Sequence, residues 1–118
     1  MITITNYRLR SMPYAQCHVE FYTDDIFIKE VRLVAYTTTI LSVKYQGSNA
    51  VVEVVHPVDC SRTTASHVNR FTMELFGTNK YFDLKKLGVG CTMLFEGGAA
   101  CIRNLHAGYL YYGKHFHY

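Results

Sequence analysis

The chain has 118 residues, 49% of them apolar and 18% charged, with two prolines and eight glycines. That composition suits one folded domain spanning 1–118 and excludes a disordered or collagen-like polymer. No apolar run approaches the roughly 20 residues of a membrane-crossing helix, and Met1-Ile2-Thr3-Ile4-Thr5 alternates without a basic flank, so the expectation is a soluble, cytoplasmic protein with no signal peptide and no membrane partner. The net charge is +3 with six histidines uncounted. The basic residues load the ends: Arg8 and Arg10 precede the first acid, Glu20, while Arg103, Lys114, His115 and His117 follow the last, Glu96. If the ends meet, they form a positive face for a nucleic acid or an acidic protein.

In chain order, period-two alternation predicts a strand from Ile2 to about Arg10, then another through Cys17-His18-Val19-Glu20-Phe21. Asp24-Asp25 reads as a turn, and the branched and aromatic residues from Ile26 to Val34 read as the next strand. The same chemistry continues from Tyr36 to Tyr45. Gln46-Gly47-Ser48-Asn49 is a turn, and residues 50–55 form a strand that Pro57 ends. Ser61 or Thr63 then caps a helix over about 62–76, with Val68, Phe71, Thr72, Leu75 and Phe76 on its apolar side and Gly77 as its stop. Ser66, His67, Arg70, Met73 and Glu74 fall on the other side. Residues 81–87 read as a short helix or an anchored turn. Residues 91–95 read as a strand, Gly97-Gly98 as a turn and 100–105 as the partner strand; 109–118 are strand-like. The predicted fold is α+β: a curved, mostly antiparallel sheet of about six strands with one main helix packed on it.

Cys17, Cys60, Cys91 and Cys101 show no close pairing of the kind that zinc sites use, so four reduced thiols serving as small core residues are expected. No cofactor and no metal site is predicted. His115 and His117 share one side of a strand without a nearby carboxylate, which suits only adventitious metal binding. No Ser/His/Asp order, HExxH, P-loop or dinucleotide glycine pattern occurs, so the chain is read as a non-enzyme.

Two passages could bind a partner. Arg62, Thr63, Thr64, Ser66, His67, Asn69 and Arg70 crowd the first turns of the helix, where free N–H groups and added cations suit an anion. The plainer reading is that Ser61, Thr63 and Thr64 cap the helix and Arg70 pairs with Glu74. The tail carrying Tyr109, Tyr111, Tyr112, Lys114 and His115 suits core packing, a protein interface or stacking on bases.

Tyr36-Thr37-Thr38-Thr39-Ile40, followed by a hairpin and then Ser61-Arg62-Thr63-Thr64-Ala65-Ser66-His67-Val68-Asn69-Arg70-Phe71, resembles a family of small uncharacterised proteins from bacteriophages and mobile elements of gut Firmicutes. Those proteins pair an aromatic-Thr-x-x-Ile strand with a Ser-x-Thr-Thr-x-x-His-x-x-x-Phe helix. The resemblance covers 36–71 and implies an origin rather than a mechanism. Small phage proteins commonly bind a host macromolecule and block it, inhibitors of CRISPR nucleases among them. The leading expectation is therefore a viral, non-catalytic inhibitor of a host protein, an anti-CRISPR candidate. Its contact residues would be Arg62, Ser66, His67, Arg70, Arg103, Tyr109, Tyr111, Tyr112, Lys114 and His115. The alternatives are a nucleic-acid-binding accessory protein that uses Arg62, Arg70, Arg103 and Lys114 against phosphates, and an anion- or nucleotide-binding protein or enzyme built on His67. A homodimer is compatible with each.

Overall fold

Apolar side chains two residues apart make the first half of the chain a meander. The computed structural model describes residues 1–12 and 15–112, with the backbone alone at Tyr111 and Tyr112. It shows β1 (Ile2–Tyr7), β2 (Cys17–Asp24), β3 (Phe27–Ala35), β4 (Thr38–Gln46) and β5 (Asn49–Val54), each antiparallel to the strand before it. After β5 come α1 (Arg62–Phe76) and α2 (Tyr81–Lys85). The chain then adds β6 (Thr92–Phe95) beside β5, so the sheet order is β1-β2-β3-β4-β5-β6, and it ends its described part in α3 (Gly98–Tyr112). The fold is α+β in one compact unit.

Three hairpins turn through two residues each, between Asp24 and Phe27, Ala35 and Thr38, and Gln46 and Asn49. In each the first loop residue has positive φ: Asp25 at 54°, Tyr36 at 56° and Gly47 at 63°. Tight hairpins need that left-handed geometry to match the strand twist. Gly47 and Asp25 are ordinary occupants. Tyr36 is not, and its side chain is 68% exposed, so little packing compensates for the strained backbone. Tyr36→Gly should therefore stabilise the protein by about 1 kcal/mol, measured as a rise in the denaturation midpoint at constant slope. Tyr36 thus occupies a turn, not the strand expected across 36–45, which begins only at Thr38.

Two irregularities bend the sheet. Tyr22 pairs with Glu30 but Thr23 with Ile28, leaving Lys29 as an extra residue; Leu33 pairs with Leu41 but Val34 with Thr39, leaving Ile40 extra. Such bulges increase twist and re-aim side chains. The helices cover one face, where Val19, Phe21, Val31, Leu33, Leu41, Val43, Val52 and Val54 are buried. Ser61 caps α1 by accepting from Thr64 N–H at 3.1 Å, and Gly77, at φ 74°, ends it by donating to the Met73 carbonyl at 2.9 Å. Val68, Phe71 and Leu75 face the core as expected. The buried Thr72 hydroxyl donates to the Asn69 carbonyl and accepts from Lys80 N–H, tying α1 to the start of α2.

The C-terminal third departs from the strand reading. Residues 100–105 and 109–112 are helix, and β6 pairs with β5 instead of with a following strand. Ala99, Ile102, Leu105 and Tyr109 are the buried side of α3, a three-and-four spacing that belongs to a helix. Gly98 explains the misreading: a Cβ there would lie 2.4 Å from the Ala50 Cβ, so the glycine lets α3 start against β5 and does not mark a hairpin. Among the described residues two long helices, not one, thus pack on the sheet. Among the described residues no helix is long and apolar enough to cross a membrane.

Candidate binding site

Of the residues expected to meet a partner, two are interior. His67 is 2% exposed, on the buried side of α1 and not on the polar side assigned from the sequence. Its Nδ1 has no hydrogen-bond partner among the described residues. Burial also pushes its pKa below the ordinary imidazole range, so the ring is held neutral and unsuited to pairing with an anion. The unfolded chain therefore takes up a proton before the folded one. Stability should be full above about pH 6.5 and fall as the pH drops from there through the depressed folded value. Urea unfolding at stepped pH checks this; His67→Gln should flatten the slope, leaving the part due to His106, whose pKa burial also lowers.

Tyr109, also 2% exposed, stacks on Tyr7 with ring centroids 5.2 Å apart and donates to Glu74 Oε2 at 2.5 Å. It is core, not contact surface. Glu74 Oε1 accepts from Ser11 N–H and hydroxyl, so the expected Arg70–Glu74 pair does not form. The Arg10 guanidinium lies over the Tyr109 ring at 5.4 Å, so the segment after β1 meets α3. Arg62 and Arg70 are exposed and Ser66 half-buried on α1. Lys114 and His115 lie outside the described residues, as do the side chains of Tyr111 and Tyr112.

The start of α1 is occupied by its own cap. Ser61 and Thr64 bond each other, and the Cys60 thiol donates to Thr64 Oγ1 at 3.3 Å. His56 Nδ1 is 4.0 Å from Cys60 Sγ but 3.0 Å from the Pro57 carbonyl. A carbonyl only accepts, so that nitrogen carries a proton and cannot serve as a base toward the thiol. All four cysteines are free, but Cys60 and Cys91 are exposed and not core residues. Cys17 is the buried one, its thiol pushed up to about 11 by burial, against the pull of Arg8 and with the help of Glu74.

The face of the sheet away from the helices carries a ladder of polar side chains. Arg32 holds Glu30 through two hydrogen bonds of 2.7 and 3.1 Å and reaches the Tyr22 hydroxyl at 3.1 Å; Tyr22 donates to Glu20, and Ser42 donates to Glu30. Burial alone would raise both carboxyl pKa values, but these donors and cations outweigh it and hold both below the usual carboxylate range. Such groups stay ionised near neutrality, the opposite of a general acid. The ladder is cross-strand stabilisation of a solvated sheet face.

A different place gathers binding chemistry. The β3–β4 ladder ends at Val31–Val43, yet β3 begins at Phe27 and β4 runs on to Gln46. Beyond the last pair the strands splay, and a cleft of about 660 Å³ opens there, with Arg103 of α3 among its lining residues. Its apolar lining comes from Ile26, Phe27, Ile28 and Tyr45, its charge from Lys29, Lys44 and Arg103. Ile26 is 87% and Phe27 64% exposed, at the tip of the β2–β3 hairpin. Among the described residues none of the three cations forms an ion pair. Asp24, on the same hairpin, is held by the Met1 ammonium at 3.3 Å, and Asp25 faces solvent. Burial raises the Tyr45 pKa while Arg103 beside it pulls the other way.

Of the contact residues expected from the sequence, Arg103 reaches this cleft; Arg62 and Arg70 do not line it. Lys29, Lys44, Ile26 and Phe27 escape prediction from sequence because their surroundings read as regular strands. The extra residue at Lys29 and the early end of the β3–β4 ladder are what expose them. Among the described residues no group of three His, Cys, Asp or Glu side chains gathers to hold a metal ion. No family model, curated protein or solved structure matches the chain.

Proposed function

We propose that the chain is a non-catalytic binding protein that inhibits or modulates a host protein by covering an acidic part of its surface. The observation that carries this is the cleft between β3 and β4: two large apolar side chains in solvent beside three cations that form no ion pair among the described residues. Exposed Ile and Phe next to such positive charge is the chemistry of a protein contact, apolar anchors supplying affinity and charge supplying steering. The resemblance of 36–71 to phage and mobile-element proteins supports a host target, a defence nuclease among the candidates.

The test is affinity capture from host lysate with and without nuclease treatment, using the natural chain and the Phe27→Asp/Arg103→Glu variant. A protein retained after nuclease by the natural chain and lost by the variant, with the melting temperature unchanged, is the expected result. Retention of nucleic acid alone, or equal capture by both chains, would overturn the reading.

A further inference from the structure

The splay between β3 and β4 offers more than side chains. A residue inside an antiparallel sheet has its N–H and C=O engaged with a strand on one side or the other. At 27–30 of β3 the β2 side is paired, with Asp24–Phe27, Thr23–Ile28 and Tyr22–Glu30 opposite each other, but the side toward β4 has no ladder. At 44–46 of β4 the β5 side is paired through Lys44–Val51, Tyr45–Ala50 and Gln46–Asn49, and again the side toward β3 has none. Two backbone edges therefore face the same cleft, within the interior of a sheet whose neighbouring strands are otherwise matched.

We infer that this cleft receives an extended acidic segment of the partner protein, which hydrogen-bonds to the open backbone edges of β3 and β4 while its carboxylates meet Lys29, Lys44 and Arg103. The inference rests on the protein-binding reading above and specifies its mode. Backbone edges recognise a peptide because it presents alternating N–H and C=O groups at strand spacing, and a polynucleotide does not. An extended peptide also projects alternate side chains to opposite sides. The set on the helix side then packs against Tyr45 and brings a carboxylate to Arg103 beside it, while the other set carries its carboxylates to Lys44 on the opposite face. Charge complementarity sets the sign: among the described residues the lining contains three cations and no carboxylate. The volume of about 660 Å³ holds a short strand segment, not a folded domain.

The probe is a synthetic peptide alternating Glu with Val and Phe, titrated into the full chain by fluorescence anisotropy, with amide hydrogen exchange read residue by residue. Three controls accompany it: a sequence with Lys in place of Glu, a peptide of the same sequence N-methylated along its backbone, and a single-stranded oligonucleotide of equal charge. Binding of the acidic peptide should slow exchange at amides within 27–30 and 44–46. Affinity should fall about tenfold or more on N-methylation, and again in the Lys29→Glu/Arg103→Glu variant once its melting curve shows that it is folded. Equal binding of the N-methylated peptide would overturn strand pairing. So would protection that appears elsewhere, or tighter binding of the oligonucleotide or the Lys peptide. The two proposals fail separately: a host protein captured through Phe27 and Arg103 with no amide protection at the splay keeps the binding function and removes this mode.

Discussion

Replacing Phe71 by alanine should destabilise the protein by roughly 3–5 kcal/mol, the usual result of deleting a core aromatic. Phe71 is fully buried on the inner side of α1, in the same core as Val68, Leu75, Leu33 and Leu41. A ring removed there leaves a void that the sheet cannot close, because the strands are fixed by their ladders on both sides. The neighbouring Arg70 provides the contrast. It is exposed and Glu74 is engaged elsewhere, so Arg70→Ala should change stability by less than about 0.5 kcal/mol. Urea unfolding of the two variants separates the cases, and comparable losses would mean that α1 is not seated as described.

The second large effect is expected at Glu74. Its carboxylate accepts three hydrogen bonds, two from Ser11 at 2.9 and 3.0 Å and one from Tyr109 at 2.5 Å, and so joins the segment between β1 and β2, α1 and α3 at one point. Burial and the adjacent carboxylate together push the Tyr109 phenol pKa upward, so it remains a donor at any ordinary pH. Glu74→Ala should cost about 2–4 kcal/mol, since the Tyr109 hydroxyl then sits in the core without an acceptor. Tyr109→Phe should cost less, about 1–2 kcal/mol, because Ser11 still holds the carboxylate. A double-mutant cycle measures the coupling directly. Simple additivity of the two losses would show that the bond contributes nothing as a pair.

The first half of the chain was legible because its signals are local. Alternation sets the strands, Asp25 and Gly47 set two turns, and Ser61, one of two capping candidates, bounds α1 together with Gly77. What was illegible depends on contacts distant in sequence. Tyr36 turns the chain although its type favours a strand, since pairing of Ala35 with Thr38 imposes the bend. Gly98 looks like half of a turn until Ala50 is placed beside it. His67 looks polar on a helical projection, yet it is the packing of α1 on the sheet that decides which side is buried. The same holds for the cleft. Lys29 and Lys44 look like any other strand residues, and only the loss of register beyond Val31–Val43 turns them into one charged opening.

The sheet order has a consequence for how the protein is made. Five strands form a meander in which each new strand pairs with the one synthesised just before, so that much of the sheet needs only short loop closures and can assemble early. β6 is different: it reaches β5 only after residues 55–91 have been laid down, and α3 follows later still. During that interval only α1 and α2 are available to cover the face that carries Val19, Phe21, Leu33, Leu41 and Val52, and the part beneath α3 stays open. A nascent chain halted there presents an apolar sheet surface of the kind chaperones hold and neighbouring copies stack upon. Arrival of α3, with Ile102, Leu105 and Tyr109 closing over that face, is the step that removes the hazard.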